Sequence, residues 1–191
     1  MENECSFNRY VNNYLKEYRE ILQRMICGMT KAELGSSISH NFIVQMIPHH
    51  RAAIEMSKNI LKYTKNDELI AIAENIISEQ TKSIENMKAI QSICCRHINE
   101  CQKVELYQCR VNRIMKTMFS DMSRAYSDRR INCDFMREMI PHHMGAIRMS
   151  ENALRYNICP ELKPILDAII SSQEEGVRQM KDLLEKLECR Y

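Results

Sequence analysis

Apolar residues recur at helical spacing along most of the chain. Tyr14, Ile21, Met25, Met29 and Ala32 form one stripe, and Leu69, Ile72, Ile76, Ile77, Ile84 and Met87 form another. Between them, Met46, His49, His50, Ala53 and Met56 fall within a sector of roughly 120° when the chain turns by about 100° per residue. The pattern predicts helices over about 8–34, 39–63 and 67–92, separated by "LGSS" and "TKND".

The pattern then returns 93 residues later. Val11–Gln91 lies on Val104–Leu184 without a gap, and 29 of the 81 pairs are identical, against roughly one in fifteen expected by chance. Three further helices are predicted over about 101–127, 132–156 and 160–189, with breaks at "SDRR" and "NICPELKP". Pro160 suits a first helical turn. The chain therefore reads as all-α: one bundle of about six helices with an internal pseudo-twofold, built from repeats at about 8–97 and 101–189. "SICCRHINECQK" holds no breaker, so the third helix is expected to run on into the fourth.

The two copies have diverged, so the positions they share show what both halves need. These are Met25/Met118, Met29/Met122, Met46/Met139, His49/His142, His50/His143, Met56/Met149, Gln80/Gln173 and Met87/Met180. Ten of the 14 methionines are paired in this way, and no cysteine is. Pro48 and Pro141 each remove a backbone donor, so a kink, or a freed carbonyl at Val44 and Arg137, is expected.

A methionine at helical spacing is ordinarily core filler, and a lone inward histidine is ordinarily a hydrogen-bonded core residue. Adjacent histidines flanked by methionines, kept in both copies, point instead to a metal. Thioethers are neutral and soft; they bind Cu(I), and Ag(I) as its mimic, but hold Zn, Mn or Mg poorly, while imidazole also suits copper. A di-iron bundle would need inward glutamates and two E-x-x-H motifs. Glu138 is matched by Gln45, so no carboxylate is kept. Zinc hydrolysis would need H-E-x-x-H, which is absent.

"FxxxMIPHHxxAIxMS", at Phe42–Ser57 and Phe135–Ser150, followed by Gln80/Met87 and Gln173/Met180, resembles the domain of unknown function 305 family. The resemblance covers about Phe42–Leu184. It implies a ferritin-like antiparallel bundle in which the two histidine-bearing helices pair, with copper or silver bound through Met and His in some members. Carried onto this chain, it implies Met46, His49, His50, Met56, Met139, His142, His143 and Met149 as ligands. Met25, Met29, Met87, Met118, Met122 and Met180 follow in second rank.

Composition narrows the setting. A net charge of +2 with interspersed acids and bases gives no footprint for nucleic acid or an anionic membrane. No run approaches the roughly 20 apolar residues of a membrane span. The N-terminal residues show no export signal, so a cytoplasmic setting and nine reduced cysteines are expected, as free thiols or soft-metal ligands. On a continuous helix Cys94, His97 and Cys101 would share a face and form a further soft site. His40, aligned with Cys133, lies about 120° from Met46 on the wheel and ranks low. The expected role is intracellular Cu(I) sequestration or storage without turnover, with metal ions as partners and homo-oligomerisation left open. The alternatives are a metal-dependent redox enzyme and a structural or assembly protein whose methionines simply pack.

Overall fold

The computed structural model describes residues 2–189, with side chains from 9 to 189. Six α-helices follow one another: α1 (Glu2–Thr30), α2 (Ile38–Ile60), α3 (Asp67–Cys94), α4 (Cys101–Ser123), α5 (Ile131–Ala153) and α6 (Lys163–Lys186). A single 3-10 turn, Pro160–Leu162, leads into α6. No strand occurs among the described residues. The all-α bundle expected from the apolar spacing is the fold.

Side-chain caps set two of the starts. Ser37 Oγ accepts the amide of His40 at the head of α2, and Asn66 Oδ1 accepts that of Leu69 at the head of α3. Neighbouring helices run antiparallel, as their cross-links show. Arg24–Glu55 joins α1 to α2, Lys62 just past the end of α2 pairs with Glu17 of α1, and Lys186–Glu68 joins the end of α6 to the start of α3. Asn59 Nδ2 donates to the carbonyl of Tyr14; 93 residues on, Asn152 Nδ2 donates to that of Tyr107. Tyr14 and Tyr107 are also met edge-on by Tyr63 and Tyr156. α2 and α5 pack on each other at the centre and are buried along most of their length.

Two predicted boundaries move. α3 stops at Cys94 instead of continuing into α4. Asn99 accounts for the break: its amide donates to Ser36 O, its Oδ1 accepts from Ile38 N, and its Nδ2 donates to Asn157 O. Three tertiary bonds from one residue outweigh the helical preference of a segment with no local breaker. α1 ends at Thr30, ahead of a loop in which Gly35 exchanges two hydrogen bonds with the Asn41 side chain.

α2 and α5 remain helical throughout, Pro48 and Pro141 included. At Pro48, α1 comes in close, and a Cβ on Gly28 would sit 2.8 Å from Pro48 Cβ. Neither atom belongs to a flexible tip, so Gly28→Ala must push the helices apart. A loss of about 1–3 kcal/mol is expected in urea unfolding; an unchanged midpoint would show that the α1–α2 contact is slack.

The cysteines correct the expectation of a fully reduced chain. Cys94 is bonded to Cys159 and Cys133 to Cys189, with Cα–Cα separations of 5.3 and 5.9 Å, inside the usual disulfide range. No local spacing announces these pairs, because the partners are 65 and 56 residues apart. Cys27, Cys95, Cys101 and Cys109 are free and exposed. With four of nine cysteines bonded, at most five should react with a thiol reagent after denaturation without reduction. Nine reactive thiols would contradict both bridges. No described helix is long and apolar enough to cross a membrane.

Candidate metal centre

The four repeated histidines meet where α2 crosses α5. His49 and His142 stack with ring centroids 3.7 Å apart at 29°, and each lies 5.8 Å from its sequence neighbour, His50 or His143. All four are buried, at no more than 1% exposure. His49 Nε2 lies 3.2 Å from the carbonyl of His142, and His142 Nε2 lies 3.1 Å from that of His49. A carbonyl only accepts, so in both rings Nε2 carries the proton and Nδ1 carries the lone pair. That lone pair has no hydrogen-bond partner in either ring.

The outer histidines differ from each other. His50 Nε2 lies 3.1 Å from the Ser83 hydroxyl. The matching position in the second half is Gly176, where a Cβ would come 2.9 Å from the His143 ring. The absence of a side chain at 176 is what lets α6 pass so close to His143. Nδ1 of both outer rings is buried and without a partner; the Met139 carbonyl favours the charged form of His143, but stands outside hydrogen-bonding geometry from Nδ1.

Burial holds the quartet neutral. Desolvation is the largest effect on every member and pushes all four below the ordinary value, His50 to about 3 and His142 to about 4. Repulsion from His142 adds to it at the other three rings. A neutral imidazole with a free lone pair is the form a metal requires.

The repeated methionines are core. Met46, Met56, Met139 and Met149 are at most 2% exposed, as are Met25, Met29, Met87, Met118, Met122 and Met180, and all ten belong to one continuous apolar cluster. Met118 presses against α5 at Gly145, where a Cβ would collide with its sulfur. Gln80 and Gln173 are buried too, and both leave side-chain atoms without partners. They line a cleft of about 280 Å³ between α3 and α6 that reaches His50.

Other predicted positions do not join the centre. The face of Cys94, His97 and Cys101 is not formed, since the helix ends between them, Cys94 is bonded to Cys159 and Cys101 is exposed. His40 Nε2 contacts Glu33 O instead. Glu138, the residue matched by Gln45, accepts a 2.6 Å hydrogen bond from Tyr14. Its burial raises its pKa well above the usual carboxylate value. Sequence reading did not find that pair; its only signal was the Gln-for-Glu exchange between the copies. Among the described residues, no histidine of the quartet belongs to a group of three His, Cys, Asp or Glu ligand atoms within 4.8 Å of one another, so no carboxylates gather at it. A carboxylate-rich di-iron centre is therefore not built there.

Fold and centre together define an all-helical bundle with a buried, neutral histidine quartet inside a methionine-rich core. The chain belongs to the family described as Domain of unknown function (DUF305), whose model matches residues 23–91 and 39–184. Among solved structures, it is similar to CopM in the Ag-bound form, at 28% identity and a TM-score of 0.57, over 78% of this chain and 95% of that one. CopM in the Cu(I)-bound form matches at 27% identity and 0.56, over 78% and 96%. A DUF305 fragment from Deinococcus radiodurans shares the fold at 20% identity and 0.58, over 78% and 96%. No curated protein matches the sequence.

Proposed function

We propose that this protein binds Cu(I) through its buried histidines and methionines and holds it out of solution, without turnover. The observation that carries this reading is the set of four buried Nδ1 atoms without a hydrogen-bond partner, on rings that burial keeps neutral. In a protein core such atoms cost free energy unless something pairs with them. The donor set is soft nitrogen and thioether sulfur, which fits Cu(I) and Ag(I) and disfavours Zn, Mn and Mg. The similar CopM structures, which hold silver and copper, support the same choice.

His49, His50, His142 and His143 would supply nitrogen, and Met46, Met56, Met139 and Met149 sulfur. Met25, Met29, Met87, Met118, Met122 and Met180 stand as further thioethers in the same core. The cleft between α3 and α6 offers the ion a route to His50. An intracellular setting for such a store has to accommodate two disulfides, which persist chiefly in oxidising surroundings; the thiol count on fresh protein decides that point.

Replacing Met46, Met56, Met139 and Met149 with leucine tests the thioethers. Leucine is close in volume, so each change should cost less than about 1.5 kcal/mol of packing. Cu(I) and Ag(I) affinity should both fall in anaerobic competition against a chromophoric chelator, while the helical circular dichroism stays. Unchanged affinity would return these methionines to core packing.

A further inference from the structure

A second cluster lies outside the histidine centre. Cys94, at the end of α3, and Cys159, in the α5–α6 connection, are both buried, and Glu161 sits in the 3-10 turn just beyond. Their backbones are fixed from α2: Ser37 Oγ donates to Cys94 O at 2.7 Å, and Cys159 N donates to Ser39 Oγ at 2.8 Å. The two sulfurs and a Glu161 carboxylate oxygen lie within 4.8 Å of one another. They are the only such trio of His, Cys, Asp or Glu ligand atoms among the described residues. Glu161 Oε2 stands 2.9 Å from Cys159 Sγ. A disulfide sulfur has no proton to donate, so this approach becomes a hydrogen bond only once the bridge is reduced.

We infer that Cys94 and Cys159, when reduced, form a second soft-metal site that binds Cu(I) as a dithiolate, with the Glu161 carboxylate accepting the Cys159 S–H hydrogen bond until the metal replaces that proton. A dithiol reductant delivers two electrons and two protons to the bridge, becomes a disulfide itself, and leaves two thiols. Cu(I) then displaces both protons as two Cu–S bonds form. Both displaced protons, one from each thiol, leave to water. Thiolate is the softest ligand a protein offers, and Cu(I) prefers it. Because the same sulfurs cannot be bridged and metallated together, loading follows the redox state. The Cys133–Cys189 bridge has no such carboxylate beside it among the described residues and is not expected to share this behaviour.

This site stands whether or not the histidine centre binds copper, since imidazole and thioether ligands do not change on thiol reduction. The test compares anaerobic Cu(I) uptake by oxidised and reduced protein, in the natural sequence, in C94S/C159S and in C133S/C189S. Reduction should add one Cu(I) per chain, with near-ultraviolet thiolate-to-copper absorption, in the natural sequence and in C133S/C189S. In C94S/C159S it should add none. Equal uptake by the two redox states of the natural sequence would overturn the inference, as would a gain that survives C94S/C159S. Should that variant fail to fold, alkylation of the reduced natural protein gives the same answer. Cu(I) should protect Cys94 and Cys159 more than Cys133 and Cys189, and equal labelling with and without copper would refute the site.

Discussion

Replacing His49 and His142 together with glutamine should lower Cu(I) affinity by on the order of 100-fold or more, since even outer partners of metal ligands are worth 10–100-fold. The choice of glutamine follows from the paired geometry. Each Nε2–H donates to the other residue's carbonyl, at 3.2 and 3.1 Å, and a glutamine amide can reach the same acceptor. What it lacks is a nitrogen lone pair at the position of Nδ1. The variant therefore keeps the cross-link between α2 and α5 and removes two nitrogen ligands. Chelator competition reads the affinity, and circular dichroism checks the fold. Native affinity in a folded variant would show that these two Nδ1 atoms take no part.

The second large effect concerns acid. All four histidines have folded-state pKa values below the unfolded reference of about 6.5. Above that value both states are neutral there, and the quartet has no pH effect. Below it the unfolded chain takes up protons that the folded chain refuses, so stability falls as pH drops from about 6.5 towards the folded values, about 3 for His50 and about 4 for His142. One group contributes at most about 1.4 kcal/mol per pH unit, so four give up to about 5. Glu138 works in the opposite direction: its raised pKa means that acid stabilises the fold through it. Asp134, also raised, does the same. Two carboxyls against four imidazoles leave a net loss. For a domain stable by about 5–15 kcal/mol, the metal-free fold should be lost before pH reaches about 4. Urea unfolding at a series of pH values measures this, and a flat profile between pH 7 and 5 would contradict it. Bound Cu(I) should shift the collapse to lower pH, because metal on Nδ1 competes with the proton.

The helices and the histidine pairs were legible in the sequence because both follow local rules. Apolar spacing gave six helices, and the 93-residue offset singled out His49/His142 and His50/His143 before any contact was known. The burial of all ten repeated methionines followed from the same stripes. What stayed hidden depends on contacts between distant segments. The end of α3 is set by Asn99 reaching Ser36, Ile38 and Asn157. The disulfides join residues 65 and 56 apart, one partner of each lying in a loop or beyond the last helix. Pro48 and Pro141 lie inside helices, as the predicted spans had them, but the close contact between Pro48 and Gly28 of α1 could not be read from the sequence. The proton positions on His49 and His142 were unreadable too, since they depend on carbonyls from the opposite half of the chain.

Cu(I) binding at the histidine–methionine centre is tested most directly by copper X-ray absorption on protein with its disulfides intact and its free thiols alkylated, loaded anaerobically with one equivalent of Cu(I). With thiolates blocked, the ion should still be held against a competing chelator, in a shell containing both imidazole nitrogen and thioether sulfur. Loss of the copper to the chelator, or a shell without nitrogen, would contradict the assignment.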